Sequence, residues 1–111
     1  MAPEFVIGIV ERWNDEAFVS MLREANTEFQ DAGFEAALAD ALRSEPRLCG
    51  LWATWSANQR WTPSAYVEGT ETGWFDSARH LVRVHADEAA AVADFIHRMA
   101  AWLAKGEVLT N

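Results

Sequence analysis

The sequence predicts an α+β fold: a two-layer sandwich in which a mainly antiparallel sheet of about four strands carries helices on one face, in the order β-α-α-β-β-β-α. Three observations lead there. Apolar residues recur at helical spacing in three stretches, begun by Phe18, Phe34 and Val92, each closed by glycine or proline. Before and between them, residues 5–10, 48–56, 61–67 and 79–85 are rich in β-branched and aromatic residues or alternate in polarity. A chain of 111 residues, half of them hydrophobic, suffices for one core and not for two, so a single domain spans 1–111.

Residues 5–10 set Phe5, Ile7 and Ile9 against Val6 and Val10, the pattern of a strand covered on both faces, with Gly8 marking a close approach or a bulge. Asn14 is a good N-cap, and Asp15 and Glu16 suit the positive end of a helix dipole. Phe18, Met21, Leu22, Ala25 and Phe29 then form one apolar stripe on a helix ending near Gly33. Phe34, Ala37, Leu38, Ala41 and Leu42 make a second stripe that stops before Pro46. Gly33 as a left-handed C-cap favours two helices over one, since glycine inside a helix costs on the order of 1 kcal/mol relative to alanine.

The stretch 47–76 holds four of the six tryptophans and the only tyrosine and cysteine. Read as a strand, 48–56 places Cys49, Leu51, Ala53 and Trp55 on a core face and Leu48, Gly50, Trp52 and Thr54 on the other. Residues 56–60 have the polar character of a hairpin loop, and 61–67 return antiparallel, with Pro63 at an edge or bulge because it lacks a ladder donor. Residues 68–73 read as a turn or mobile loop, after which Trp74 and Phe75 re-enter order. In 79–85, His80, Val82 and Val84 oppose Arg79, Leu81, Arg83 and His85, one face apolar and the other basic. Asp87 caps a closing helix whose stripe is Val92, Phe95, Ile96, Met99, Trp102 and Leu103, stopped by Lys105 and Gly106. Residues 107–110 add a short strand or fray.

No apolar run approaches the roughly 18 to 20 residues needed to cross a bilayer, and the start lacks a basic region before its short apolar stretch. Neither a membrane span nor a signal peptide is expected, and a cytoplasmic location follows. The single cysteine makes no internal disulfide. The net charge of -8 is uneven: residues 1–45 hold ten acids against three arginines, residues 46–111 seven acids against six bases. Such a surface repels nucleic-acid phosphates and attracts a basic protein partner. It also keeps a tryptophan-rich chain in solution.

No cofactor or metal is expected, because the three histidines lack ligand spacing; Asp94 and His97, one helical turn apart, read as a surface pair. Cys49 falls on the core face, the serines lack the strand-to-helix glycine motif of a nucleophile, and no phosphate-cradling loop is present. Acid–base chemistry has candidates in Tyr66 and Glu68, which share a strand face with Asp76 or Arg83 within reach, and in His85. They would serve a small enzyme acting on an apolar or aromatic substrate in a tryptophan-lined pocket.

The tryptophans divide by pattern. Trp55 and Trp102 lie on apolar stripes and belong to the core, whereas Trp52, Trp61 and Trp74 are candidates for contact with a partner. The favoured expectation is a small acidic binding protein that neutralises a protein partner by occlusion, in the manner of immunity proteins and antitoxins. Glu24, Glu28 and Asp31 steer it onto the basic cleft of a toxin or other effector, and Trp52, Trp61 and Trp74 bury at the contact. A third reading is a structural homodimer paired through the aromatic sheet face.

Overall fold

A computed structural model describes residues 33–58, 65–76 and 79–105, without the side chains of Trp55, Asn58, Asp76, Leu103, Ala104 and Lys105. The strand expected at 5–10, the helix leading to Gly33, residues 61–64 and the end at 107–110 lie outside the described residues. Within them the order is α1 (Phe34–Ser44), α2 (Arg47–Asn58), β1 (Ala65–Glu68), β2 (Glu71–Asp76), β3 (Arg79–Val84) and α3 (Glu88–Lys105). The strands form one antiparallel sheet in the order β1-β2-β3, and the fold is α+β.

Helix α1 forms where the second stripe predicts it. Phe34, Leu38, Ala39 and Leu42 are buried, and Ala37 and Ala41 pack beside them. Gly33 has φ -88°, so it is not the left-handed C-cap expected of a preceding helix; it opens α1, its carbonyl accepting from the Ala37 N–H at 2.9 Å. The Glu45 N–H closes α1 onto the Leu42 carbonyl, and Pro46 then leads into α2 through the Leu48 and Cys49 amides, which donate to Glu45 and Pro46.

The strand expected at 48–56 is a helix. Its alternation is real, but its buried members are Leu48, Cys49, Trp52 and Ser56, a set with helical and not twofold spacing. Leucine and alanine outnumber β-branched residues here, Thr54 alone belonging to that class, and proline just before the first turn favours a helix start. The hairpin loop expected from Ser56 is therefore absent at 56–58, which continue the helix.

The hairpin is displaced along the chain instead. Gly69 and Thr70 form a two-residue turn between β1 and β2, with Gly69 at φ 59°, in the left-handed region that favours glycine. What read as a loop at 71–73 is strand, paired with both neighbours: Val67 faces Thr72 and Thr72 faces Arg83; Ala65 faces Trp74 and Trp74 faces Leu81. These residues form the inner face of the sheet, which packs on α2 and α3. The edge of β1 is covered as well, since the Val67 N–H donates to the buried Ser56 hydroxyl at 3.0 Å.

Helix α3 is the centre of the described residues. The expected stripe of Val92, Phe95, Ile96 and Met99 is buried, and so are Ala91, Ala93, Asp94, Arg98, Ala100 and Ala101. A helix buried on nearly all sides packs against several neighbours, here α1, α2, β1 and β2. Asp87 caps it as expected, accepting from the Ala90 N–H at 2.9 Å, and also receives Arg43 of α1 at 2.9 and 3.3 Å. The Thr72 hydroxyl donates to the Ala91 carbonyl at 2.8 Å, binding β2 to the same helix.

Two glycines test this description in opposite directions. A Cβ at the exposed Gly50 meets nothing within 4 Å, so Gly50→Ala is expected to raise stability by about 1 kcal/mol if α2 is helical. A Cβ at Gly73 overlaps the Tyr66 ring, so Gly73→Ala is expected to lower it by roughly 1–3 kcal/mol. Urea denaturation of the two variants measures both shifts.

Candidate functional site

The strands expose one face and bury the other, and each face assembles polar side chains. On the outer face the register gives three cross-strand rows: Glu68, Glu71 and Val84; then Tyr66, Gly73 and Val82; then Phe75 and His80. Glycine at 73 leaves room for the Tyr66 ring to lie across β2 and reach β3. The Tyr66 hydroxyl and His80 Nε2 share a hydrogen bond of 2.7 Å, and the Phe75 ring stacks on His80 at 4.8 Å and 17°. Partial burial, followed by the nearby Glu71 and Glu68, pushes the Tyr66 phenol above its ordinary pKa, so it stays protonated. Around this cluster Phe75 and Val82 are each 45% exposed and Val84 is 70% exposed.

The inner side of β3 meets α1 and α3 in a network of charges. Asp94 is the innermost: its Oδ2 bonds His85 Nε2 at 2.9 Å and its Oδ1 ion-pairs with Arg98 Nε at 2.8 Å. All three side chains are at least nine-tenths buried. The Arg98 guanidinium lies 3.5 Å over the Trp74 ring, a cation–π contact; burial lowers its pKa and Asp94 opposes that fall. Nearer the surface, Glu35 of α1 bonds His97 at 3.3 Å, and Arg83 stands 3.8 Å from both Glu35 and Asp94. The hydrogen bond from His97 holds the Glu35 carboxyl below its ordinary pKa, against the effect of burial.

Beside this network, between α1, α3 and the end of β3, runs an open groove of about 360 Å³ bordered by Glu35, Asp40, Arg43, Arg83 and His85. A shallower depression of about 230 Å³ contains Cys49. Burial first, then Glu88 and Asp87, pushes that thiol above its ordinary pKa, which keeps it protonated and weakly nucleophilic. Tryptophan lines neither depression.

The residues singled out in the sequence are distributed differently from expectation. Trp52 is 0% exposed, edge-on to Phe95 at 6.4 Å, and Trp74 is buried under Arg98; both indoles are core and neither offers a contact surface. Trp52 was placed outside by strand parity, whereas the helical turn of α2 carries it inward; Trp74 belongs to the inner face of β2. Trp61, Glu24, Glu28 and Asp31 lie outside the described residues. Tyr66 and Glu68 do share the outer face, but His85 and Arg83 are on the inner side of the sheet, so this set does not converge. Asp76 ends β2 opposite Arg79, and its side chain is outside the description. Asp94 and His97 do not pair with each other; each reaches a different element.

Sequence reasoning found the apolar side of Val82 and Val84 but gave neither it nor Phe75 a role in contact, and it gave none to the buried Asp94 and Arg98. An acid and a base four residues apart inside a nearly continuous apolar helix were the available signal for the second pair. Among the described residues no group of three His, Cys, Asp or Glu side chains converges as metal ligands, and no helix is long and apolar enough to cross a membrane. Comparison with protein-family models, with curated proteins and with solved structures returns no match.

The depressed pKa of Glu35 gives a pH dependence. Its ionised form is favoured by folding, so its contribution is complete above the ordinary value of 4.5 and is lost as pH falls through the lower folded value. Urea midpoints taken between about pH 5 and pH 3 are expected to fall more steeply for the wild type than for Glu35→Gln.

Proposed function

We propose that the chain is a binding protein that occupies and blocks a basic protein partner through the outer face of its sheet. The observation that carries this reading is the set of exposed apolar side chains Phe75, Val82 and Val84 on that face, seated beside the Tyr66–His80 pair and bounded at one end by Glu68 and Glu71. Contiguous exposed apolar residues with a charged rim are the anatomy of a contact surface. The sign of the rim, and the net charge of -8, select a basic partner and speed encounter with it.

The partner class is a toxin or other effector whose basic cleft is closed by the contact, as immunity proteins and antitoxins close theirs. Aromatic anchoring passes from Trp52 and Trp74, which are core, to Phe75 and Tyr66. Glu24, Glu28 and Asp31 remain the proposed steering carboxylates, and Trp61 a proposed contact. The enzyme reading keeps one supporting observation, His85 braced by Asp94 at the groove, but an apolar substrate has no tryptophan-lined pocket among the described residues.

Co-expression with the product of the adjoining gene, followed by native mass spectrometry, tests the proposal. A one-to-one complex is expected at low salt, weakened at high salt and lost in the double variant Val82→Lys, Val84→Lys, which changes only exposed side chains. Absence of a complex with the wild type would count against the reading. A free chain that sediments as a dimer, dissociated by the same two lysines, would assign the face to a second copy instead.

A further inference from the structure

The groove between α1 and α3 stands apart from the partner-binding face, on the inner side of β3. Four alanines, Ala36, Ala39, Ala90 and Ala93, line it, and their small side chains leave an apolar trough where the two helices meet. Arg83 and His85 border it as well.

The charged groups around it are not equally committed. Asp94 engages His85 and Arg98, one with each oxygen. Glu35 engages His97, while Asp40 and Asp87 engage Arg43. Arg83 differs from all of these. Its nearest carboxylate oxygens, on Glu35 and Asp94, are 3.8 Å away, close enough for attraction but beyond hydrogen-bond reach, and its side chain is 48% exposed. His85 is held beside it by its Nε2 bond to Asp94.

We infer that this groove binds a small organic monocarboxylate. The planar Arg83 fork takes the carboxylate by paired N–H bonds, His85 stands beside it, and the apolar body of the ligand covers the alanine trough. The Arg83 guanidinium, which makes no hydrogen bond to either nearby carboxylate, calls for an anion. Glu35 and Asp94, each 3.8 Å from that guanidinium, penalise a second negative charge and so select a monoanion over phosphate. The volume, about 360 Å³, is at the lower end of the range of ligand sites and sets an upper bound on size.

Titrating the full chain, labelled at alanine methyls, with benzoate tests the inference by NMR. Saturable shifts at Ala36, Ala39, Ala90 and Ala93 are expected in the millimolar range. Arg83→Gln should weaken binding roughly tenfold or more, and Ala36→Leu, a change at an exposed position, should block it by filling the trough. Benzyl alcohol and inorganic phosphate should each bind at least about tenfold more weakly than benzoate. Absence of saturation with benzoate, equal binding by Arg83→Gln, or equal binding of benzyl alcohol or phosphate would overturn it.

Discussion

A single buried carboxylate, Asp94, organises the described part of this protein. Removing a charge from water costs several kcal/mol unless partners replace the lost hydration, and Asp94 has two at close range, His85 from the end of β3 and Arg98 one turn along its own helix. The first contact ties the last strand to the central helix. The second sets Arg98 against the Trp74 ring in β2, so one carboxylate reaches, directly or through its arginine, two of the three strands. An apolar residue at 94 would bury well but would remove the carboxylate that Arg98 and His85 both engage.

This constraint also fixes which side of β3 is outside. Strand parity is twofold, so drawing Arg83 and His85 inward toward Asp94 turns His80, Val82 and Val84 outward together. The exposed apolar side chains and the charged groove are thus two consequences of the same register. Neighbouring strands complete each side: Tyr66 crosses Gly73 to bond His80 on the outer face, while Thr72 bonds Ala91 on the inner one. The proposed partner surface and the proposed ligand site are back to back on one strand.

The elements legible in the sequence were those whose signal is local. The stripe of α1, that of α3 from Val92 to Met99, the Asp87 cap and the two faces of β3 depend on spacing within one element, and each stands where the pattern placed it. The misreadings share a cause. In 48–56 strand parity and helical period compete, and the decision rests on Trp52 meeting Phe95 and on Ser56 meeting Val67, contacts with distant segments. Strand β2 resembled a loop because its Thr-Gly sequence satisfies long-range demands: Thr72 must reach Ala91, and position 73 must admit the Tyr66 ring. The site was hidden for the same reason, since Asp94 finds His85 across a turn of the chain and Glu35 finds His97 from the other end of the described sequence. Tryptophan content, the most conspicuous feature of the composition, reported mainly on packing at the two described positions where contact was expected.

The central claim is that Asp94 holds the inner side of β3 to α3, and the unfolding free energy of Asp94→Ala measures it most directly. If the carboxylate is the buried counter-charge of Arg98 and the hydrogen-bond partner of His85, the variant loses roughly 3–5 kcal/mol at neutral pH in urea denaturation. A loss below about 1 kcal/mol, the size expected of an exposed ion pair, would contradict the account.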